Sequence, residues 1–153
     1  MRGSLKVRRE EGMRYDCLAD LFSARLEGEK VHLLITDGIV LDYPGLISED
    51  AMDKMYVQRI LTPYQLEKIL MGSDNNPHIL LLKSEVLESW SRASLESIHD
   101  ILMIKTSYYG CKIDLIMVGK PGVYQYYLGG KLNNPVDVSV VEDLSQWEEV
   151  PLP

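Results

Sequence analysis

Cysteine, phenylalanine and long apolar runs are scarce in this 153-residue chain, which has two Cys and one Phe. No stretch approaches the roughly 20 apolar residues that a membrane span requires, so a membrane protein is not expected. Cys17 and Cys111 stand far apart, in no paired spacing, which gives neither a disulfide framework nor a zinc site. Each is expected to be a small buried apolar side chain. The early basic residues Arg2, Lys6, Arg8 and Arg9 precede no apolar run, so no secretory signal is read and a cytoplasmic location is expected. Positive charge is also short: 16 Lys and Arg against 23 Asp and Glu leave a net charge of −7. Such a chain repels a nucleic-acid backbone at long range, which argues against a free-standing DNA binder. Internal repeats and low-complexity tracts are absent.

What is present is ordinary globular composition, 46% apolar and 25% charged, in a length that suits one domain with a sizeable core. Residues 1–14 mix both charge signs and read as a leader, 15–143 as the domain, and 144–153 as an acidic tail, because Lys131 is the last cation of the chain. Tyr15, Leu18, Leu21, Phe22 and Leu26 recur at helical spacing, with Gly28 as a stop. Val31–Thr36, His78–Leu82 and Ile113–Val118 are short, nearly continuous apolar runs, the mark of strands buried on both faces. Glu49–Tyr56 reads as helical, Val57–Leu61 as a strand and Val136–Val141 as the last strand. Thr62-Pro63-Tyr64-Gln65 carries a cap, a proline for the first turn and a reciprocal capping residue, so a helix is predicted to start there and to end at Gly72. Leu95, Ile98, Leu102 and Tyr109, widened by Ile101 and Tyr108, predict a long helix closed by Gly110. Helices alternating with two-sided strands predict an α/β domain, a three-layer α/β/α sandwich on a mainly parallel sheet.

Chemical motifs are few. A phosphate cradle needs G-x-x-x-x-G-K-[ST] at a helix start, and Gly129-Gly130-Lys131 leads instead into the turn Leu132-Asn133-Asn134-Pro135. His32, His78 and His99 lack partners at metal spacing, and no serine has a G-x-S-x-G elbow. Asp37 and Asp114 could meet at strand ends, where carboxylates often bind metals, though strand-edge solvation is the plainer reading. Lys120 to Lys131 combines two cations with Tyr124, Tyr126 and Tyr127. Stacking faces among cations suit single-stranded nucleic acid, and a β-hairpin with alternating tyrosines accounts for the same residues.

The order of blocks resembles the ATPase core of the RecA superfamily, particularly its archaeal recombinase paralogues. Val57-Gln58-Arg59-Ile60-Leu61-Thr62-Pro63-Tyr64-Gln65-Leu66 resembles the segment in which a strand ends in an Arg and a Gln-Leu helix follows. His78 to Lys83, ending at Ser84, is similar to the Walker B strand. Leu128-Gly129-Gly130-Lys131 with Val136-Asp137-Val138 is similar to the Gly-Gly stretch and strand after the second DNA-binding loop. Together these cover about Tyr15 to Asp143. The alignment starts the chain at the helix after the P-loop, so the phosphate loop and its strand are expected to be missing. The metal-holding acid falls on Lys83, a cation that would repel Mg²⁺.

The resemblance thus implies a truncated RecA-like core without ATPase activity, a pseudo-ATPase with no catalytic residue, cofactor or metal. It would act as a binding or scaffold subunit in DNA recombination or repair, docked on an active recombinase or another paralogue, or as a homo-oligomer. Lys120, Tyr124, Tyr126, Tyr127 and Lys131 would form a DNA-proximal loop touching single strands within a complex, and Arg59 an interface residue. The alternative is a small-molecule-binding or metal-dependent α/β enzyme at the C-terminal strand ends, using Asp37, Asp114 and His78.

Overall fold

The computed structural model describes residues 4–10, 15–27, 29–39, 41–120, 122–129 and 138–141. Among these residues six strands form one sheet: β1 (Ser4–Glu10), β2 (Val31–Thr36), β3 (Met55–Ile60), β4 (His78–Lys83), β5 (Lys112–Val118) and β6 (Val138–Val141). They lie in the order β3-β2-β4-β5-β1-β6, and every pairing is parallel. The helices are α1 (Tyr15–Leu26), α2 (Tyr43–Leu46), α3 (Pro63–Gly72), α4 (Ser84–Glu88), α5 (Arg92–Ser107) and α6 (Val123–Gly129).

The sheet order explains which helix covers which face. From β1 to β2 to β3 the chain steps in one direction across the sheet; from β3 through β4 and β5 to β6 it steps back. Parallel crossovers are right-handed, so reversing the direction moves the connection to the opposite face. Accordingly α1 and α2 pack with Leu33, Ile35, Ile79 and Leu81 in one cluster. Helices α3 to α6 pack with Leu34, Leu80, Leu82 and Leu115 in the other. Alternate residues of the same strand feed opposite cores, which is why β4 and β5 read as nearly continuous apolar runs. The fold is α/β, with helices on both faces of a parallel sheet.

Several elements follow from local chemistry. At the start of α3 the Gln65 N–H donates to Thr62 Oγ1 at 3.1 Å, and the Gln65 side chain accepts from the Leu61 N–H at 2.8 Å. This is the expected reciprocal cap, shifted by one residue on its return arm. In α5, Leu95, Ile98 and Leu102 are buried on one stripe, and Ser91 caps it by accepting from the Ser94 N–H.

Other expectations are corrected. The stretch expected to be a leader contains β1, placed between β5 and β6 with Leu5 level with Ile113 and Val7 with Leu115. Its Leu-Lys-Val alternation is strand-like, but the surrounding charges hid it. Glu49–Lys54 forms a 3-10 turn and not an α-helix, and β3 begins at Met55, two residues before the expected start. The short helices α2 and α4 were not foreseen. Tyr108 and Tyr109 lie beyond α5 and are exposed, because Gly110 with φ +70° turns the chain back before they reach the buried stripe. The acidic tail, 144–153, lies outside the described residues.

Removing the α3 cap tests this reading. Thr62→Ala should lower stability by about 1 kcal/mol, seen as an earlier urea midpoint with an unchanged slope. An unchanged midpoint would mean that the bond to Gln65 does not hold the helix start.

Candidate functional site

In open parallel sheets ligands settle beyond the carboxyl ends of strands, where neighbouring connections leave in opposite directions. Here β2 and β4 are such neighbours, since β2 leads toward β3 and β4 toward β5. Two groups close this crevice from within. The buried Thr36 hydroxyl accepts from the Lys83 N–H at 2.7 Å, joining the two strand ends. The Lys83 side chain then lies over Gly38, where a Cβ would come within 2.9 Å of its Cδ and 3.0 Å of its Nζ. With φ +86°, Gly38 also holds a backbone shape that other residues rarely adopt. Arg59, exposed on β3, donates from one guanidinium nitrogen to Thr36 O and Ile39 O at 3.2 Å each, pinning the same turn.

The three tyrosines lie on neither a loop nor a hairpin. Residues 123–129 are α6, so helical and not alternating spacing decides which rings face inward. Tyr124 is 1% exposed, packs in the core and donates its hydroxyl to Lys120 O, so its ring cannot stack on a base. Tyr127 packs partly against that core, under the Arg92 guanidinium at 4.7 Å from its ring centre. Tyr126 meets Tyr127 edge to face and is 54% exposed, and Lys120 is exposed as well. Lys131 lies outside the described residues.

The opposite, amino-terminal edge of the sheet holds a polar cluster that the sequence did not disclose. His78 is fully buried at the start of β4, stacked on His32 with ring centres 4.6 Å apart. His78 Nδ1 is 2.6 Å from Asn76 O, which can only accept, so Nδ1 carries the proton. Nε2 therefore accepts from the Ser73 hydroxyl at 2.8 Å, and Lys105 Nζ donates to that same oxygen at 3.1 Å. Burial lowers the His78 pKa to about 4, against the opposing pull of the Asn76 carbonyl. Burial likewise lowers the Lys105 amine below the usual lysine range and pushes the Cys111 thiol up to about 11. Burial opposes the Asp74 charge too, but the Asn76 N–H and the His32 ring hold its carboxyl below the ordinary value.

A serine on an imidazole whose far nitrogen is held by an acceptor has the outline of a nucleophile and its base. The chemistry is wrong for that role. A ring that stays neutral down to about pH 4 is a weak base, and its orienter is a neutral carbonyl. Ser73 also follows the C-terminus of α3, whose partial negative charge opposes a developing oxyanion. The cluster instead satisfies a buried histidine.

The enzyme alternative loses its constellation. Asp114 is level with Leu33 across the sheet, whereas Asp37 lies four residues further along, about 13 Å at strand rise. Asp114 is buried and paired with Arg25 of α1, at 2.8 Å from Oδ2 and 3.3 Å from Oδ1. His78 is at the amino-terminal edge, not the carboxyl one. Among the described residues no group of three or more His, Cys, Asp or Glu could hold a metal ion. His99 binds Leu128 O at 3.0 Å and ties α5 to α6. No family model matches the chain, and neither does any curated protein.

Because His78 titrates near 6.5 when unfolded and near 4 in the fold, the unfolded chain binds a proton between these values that the folded chain refuses. The stability this ring provides is whole above about pH 6.5, declines as pH falls, and is fully lost near pH 4, on the order of 3 kcal/mol in all. Denaturation at pH 7, 5.5 and 4 should show a steeper loss for the native chain than for His78→Gln. Parallel pH profiles would show that the ring is not held neutral.

Proposed function

We propose that the protein is a RecA-like paralogue that does not hydrolyse nucleotide and serves as a binding or scaffold subunit in DNA recombination or repair. One observation carries this reading. Strand β1 runs through the interior of the sheet and leads into α1 after four residues, the strand–loop–helix plan of a phosphate-binding unit. Those residues, Glu11-Gly12-Met13-Arg14, supply one glycine, no lysine and no Ser or Thr. On this reading β1 takes the place of the strand that the resemblance left out, and the departure from the family pattern lies in the composition of residues 11–14. Lys83 at the end of β4 fits the same reading, since its ammonium would repel Mg²⁺ where the family places an acid.

The perimeter supports a binding role. β3 ends the sheet on one side, and Tyr56, Val57, Gln58 and Arg59 are all exposed on it. An edge strand with apolar side chains is a template for a partner's extended segment, held by main-chain hydrogen bonds. Tyr126, exposed on α6, and the exposed Lys120 ahead of that helix are the parts of the tyrosine segment that suit contact with a single strand inside a complex. The net charge of −7 fits a subunit that reaches DNA only in company.

Titration calorimetry with millimolar MgATP should show no binding, and Mg²⁺-dependent turnover by a clean preparation would overturn the reading. With an active recombinase of the same source, the chain should form a complex that Val57→Lys weakens at least tenfold. An unaffected complex would remove β3 as the docking edge. Within the complex, Tyr126→Ala should lose roughly 1–3 kcal/mol of single-strand affinity at unchanged stability. Tyr124→Ala should instead cost about 3–5 kcal/mol of stability, as a large core truncation does.

A further inference from the structure

A cavity of about 390 Å³ opens between α3 and the last turns of α5, a size in the range of small-molecule sites. Its polar lining is contiguous. Ser73 and Asn75 come from the turn after α3, and Lys105 reaches into that turn, donating to Ser73 O at 3.3 Å, Ser73 Oγ at 3.1 Å and Asp74 O at 3.0 Å. Its apolar lining lies one helical turn back along each helix, at Leu70 and Ile101, joined by Ile104. Met71 and Tyr109, 74% and 62% exposed, add apolar surface at the rim.

The charge balance of this cavity is unusual. Lys105 is 5% exposed, yet its three partners are neutral oxygens. Those carbonyls and the adjoining helix ends offset part of its charge, and the Asp74 carboxylate acts on it through space, but among the described residues no carboxylate is bonded to it. Asp74, the acid closest in sequence to its partners, turns its carboxylate to His32 at 2.9 Å and to the Asn76 N–H at 3.0 Å. Among the described residues no Asp or Glu lines the cavity, although the chain has 23 of them. Buried charges are ordinarily paired. Asn75 and Tyr109 also line the cavity, and an amide and a phenol can both donate hydrogen bonds.

We propose that this cavity binds a small amphipathic organic anion, a carboxylate on a short apolar chain or ring, with its head toward Asn75 and Tyr109 in the field of the Lys105 charge and its body against Met71, Ile101 and Ile104. The assignment is independent of the recombinase reading, since the cavity lies at the amino-terminal edge of the sheet, opposite β1's exit into α1.

Octanoate is a suitable probe, followed by calorimetry and by chemical shifts of the Ile104 methyls. It should bind saturably, one per chain, well below the concentration at which it forms micelles. Octanol, with the same body and no charge, should bind at least tenfold more weakly, and inorganic phosphate, with charge and no body, should not displace octanoate. Lys105→Met should reduce octanoate affinity at least tenfold. Because that substitution removes three hydrogen bonds, Ile104→Glu offers a second variant at a half-exposed position; it places an acid at the cavity and should also reduce octanoate affinity at least tenfold. Absence of saturable octanoate binding, equal affinity for octanol, displacement by phosphate, or affinity unchanged in Ile104→Glu would each overturn the proposal.

Discussion

A parallel sheet covered on both faces leaves its interior strands no contact with water, so every polar group within them must find a partner inside the protein. That constraint organises the molecule. It explains why β2, β4 and β5 are mostly Leu, Ile, Val and Met, and why their buried polar residues, Thr36, His78 and Asp114, each hold a specific bond to another element. Thr36 fastens β2 to β4 at the carboxyl edge. Asp114 fastens β5 to α1 on one face. His78 fastens β4 to the turn after α3 at the amino-terminal edge.

These three groups meet the cost of burial in different ways. Asp114 keeps a bidentate guanidinium from Arg25, so charge is answered with charge. His78 has no carboxylate in contact and a cation two bonds away through Ser73, so protonation would add a second positive charge to a dry site. It is neutral instead, and neutrality fixes its tautomer, since Asn76 O can take a proton but not give one. The direction of the chain Lys105 to Ser73 to His78 to Asn76 follows from that single assignment. Removing any acceptor along it would leave a buried donor without a partner, a larger loss than the bond itself contributes.

The apolar runs made the fold class legible, because a strand buried on both sides has no period to conceal and Val31–Thr36 or Ile113–Val118 can hardly be read otherwise. Thr62 and Gln65 were legible for a different reason: a cap is local and needs only neighbours in sequence. What failed was whatever depended on distant partners. Ser4–Glu10 carries four charged residues in seven, and its place between β5 and β6 is decided by pairing that no local pattern encodes. A hairpin gives the tyrosine segment a period of two, which sets Tyr127 apart from Tyr124 and Tyr126; the helix gives it 3.6, which turns Tyr124 and Tyr127 toward the core and Tyr126 outward. Lys105 was invisible because a lysine in the last turn of a helix is ordinarily solvated; its burial depends on where α3 ends. Asp37 and Asp114 could be paired on paper only while strand register was unknown.

The switch crevice between β2 and β4 bears most directly on function. In a sheet of this kind it is the natural receptacle for a ligand, yet here the protein occupies it with its own side chain. Lys83 needs the space over Gly38, and Gly38 can provide it because it lacks a Cβ; Thr36 and Arg59 then lock the strand ends around them. A crevice braced from within by a cation and two backbone-directed bonds favours rigidity over ligand exchange. The open side of β3, the outward face of α6 and the cavity between α3 and α5 lie away from this crevice, and there Tyr56, Val57, Tyr126 and Ile104 are exposed.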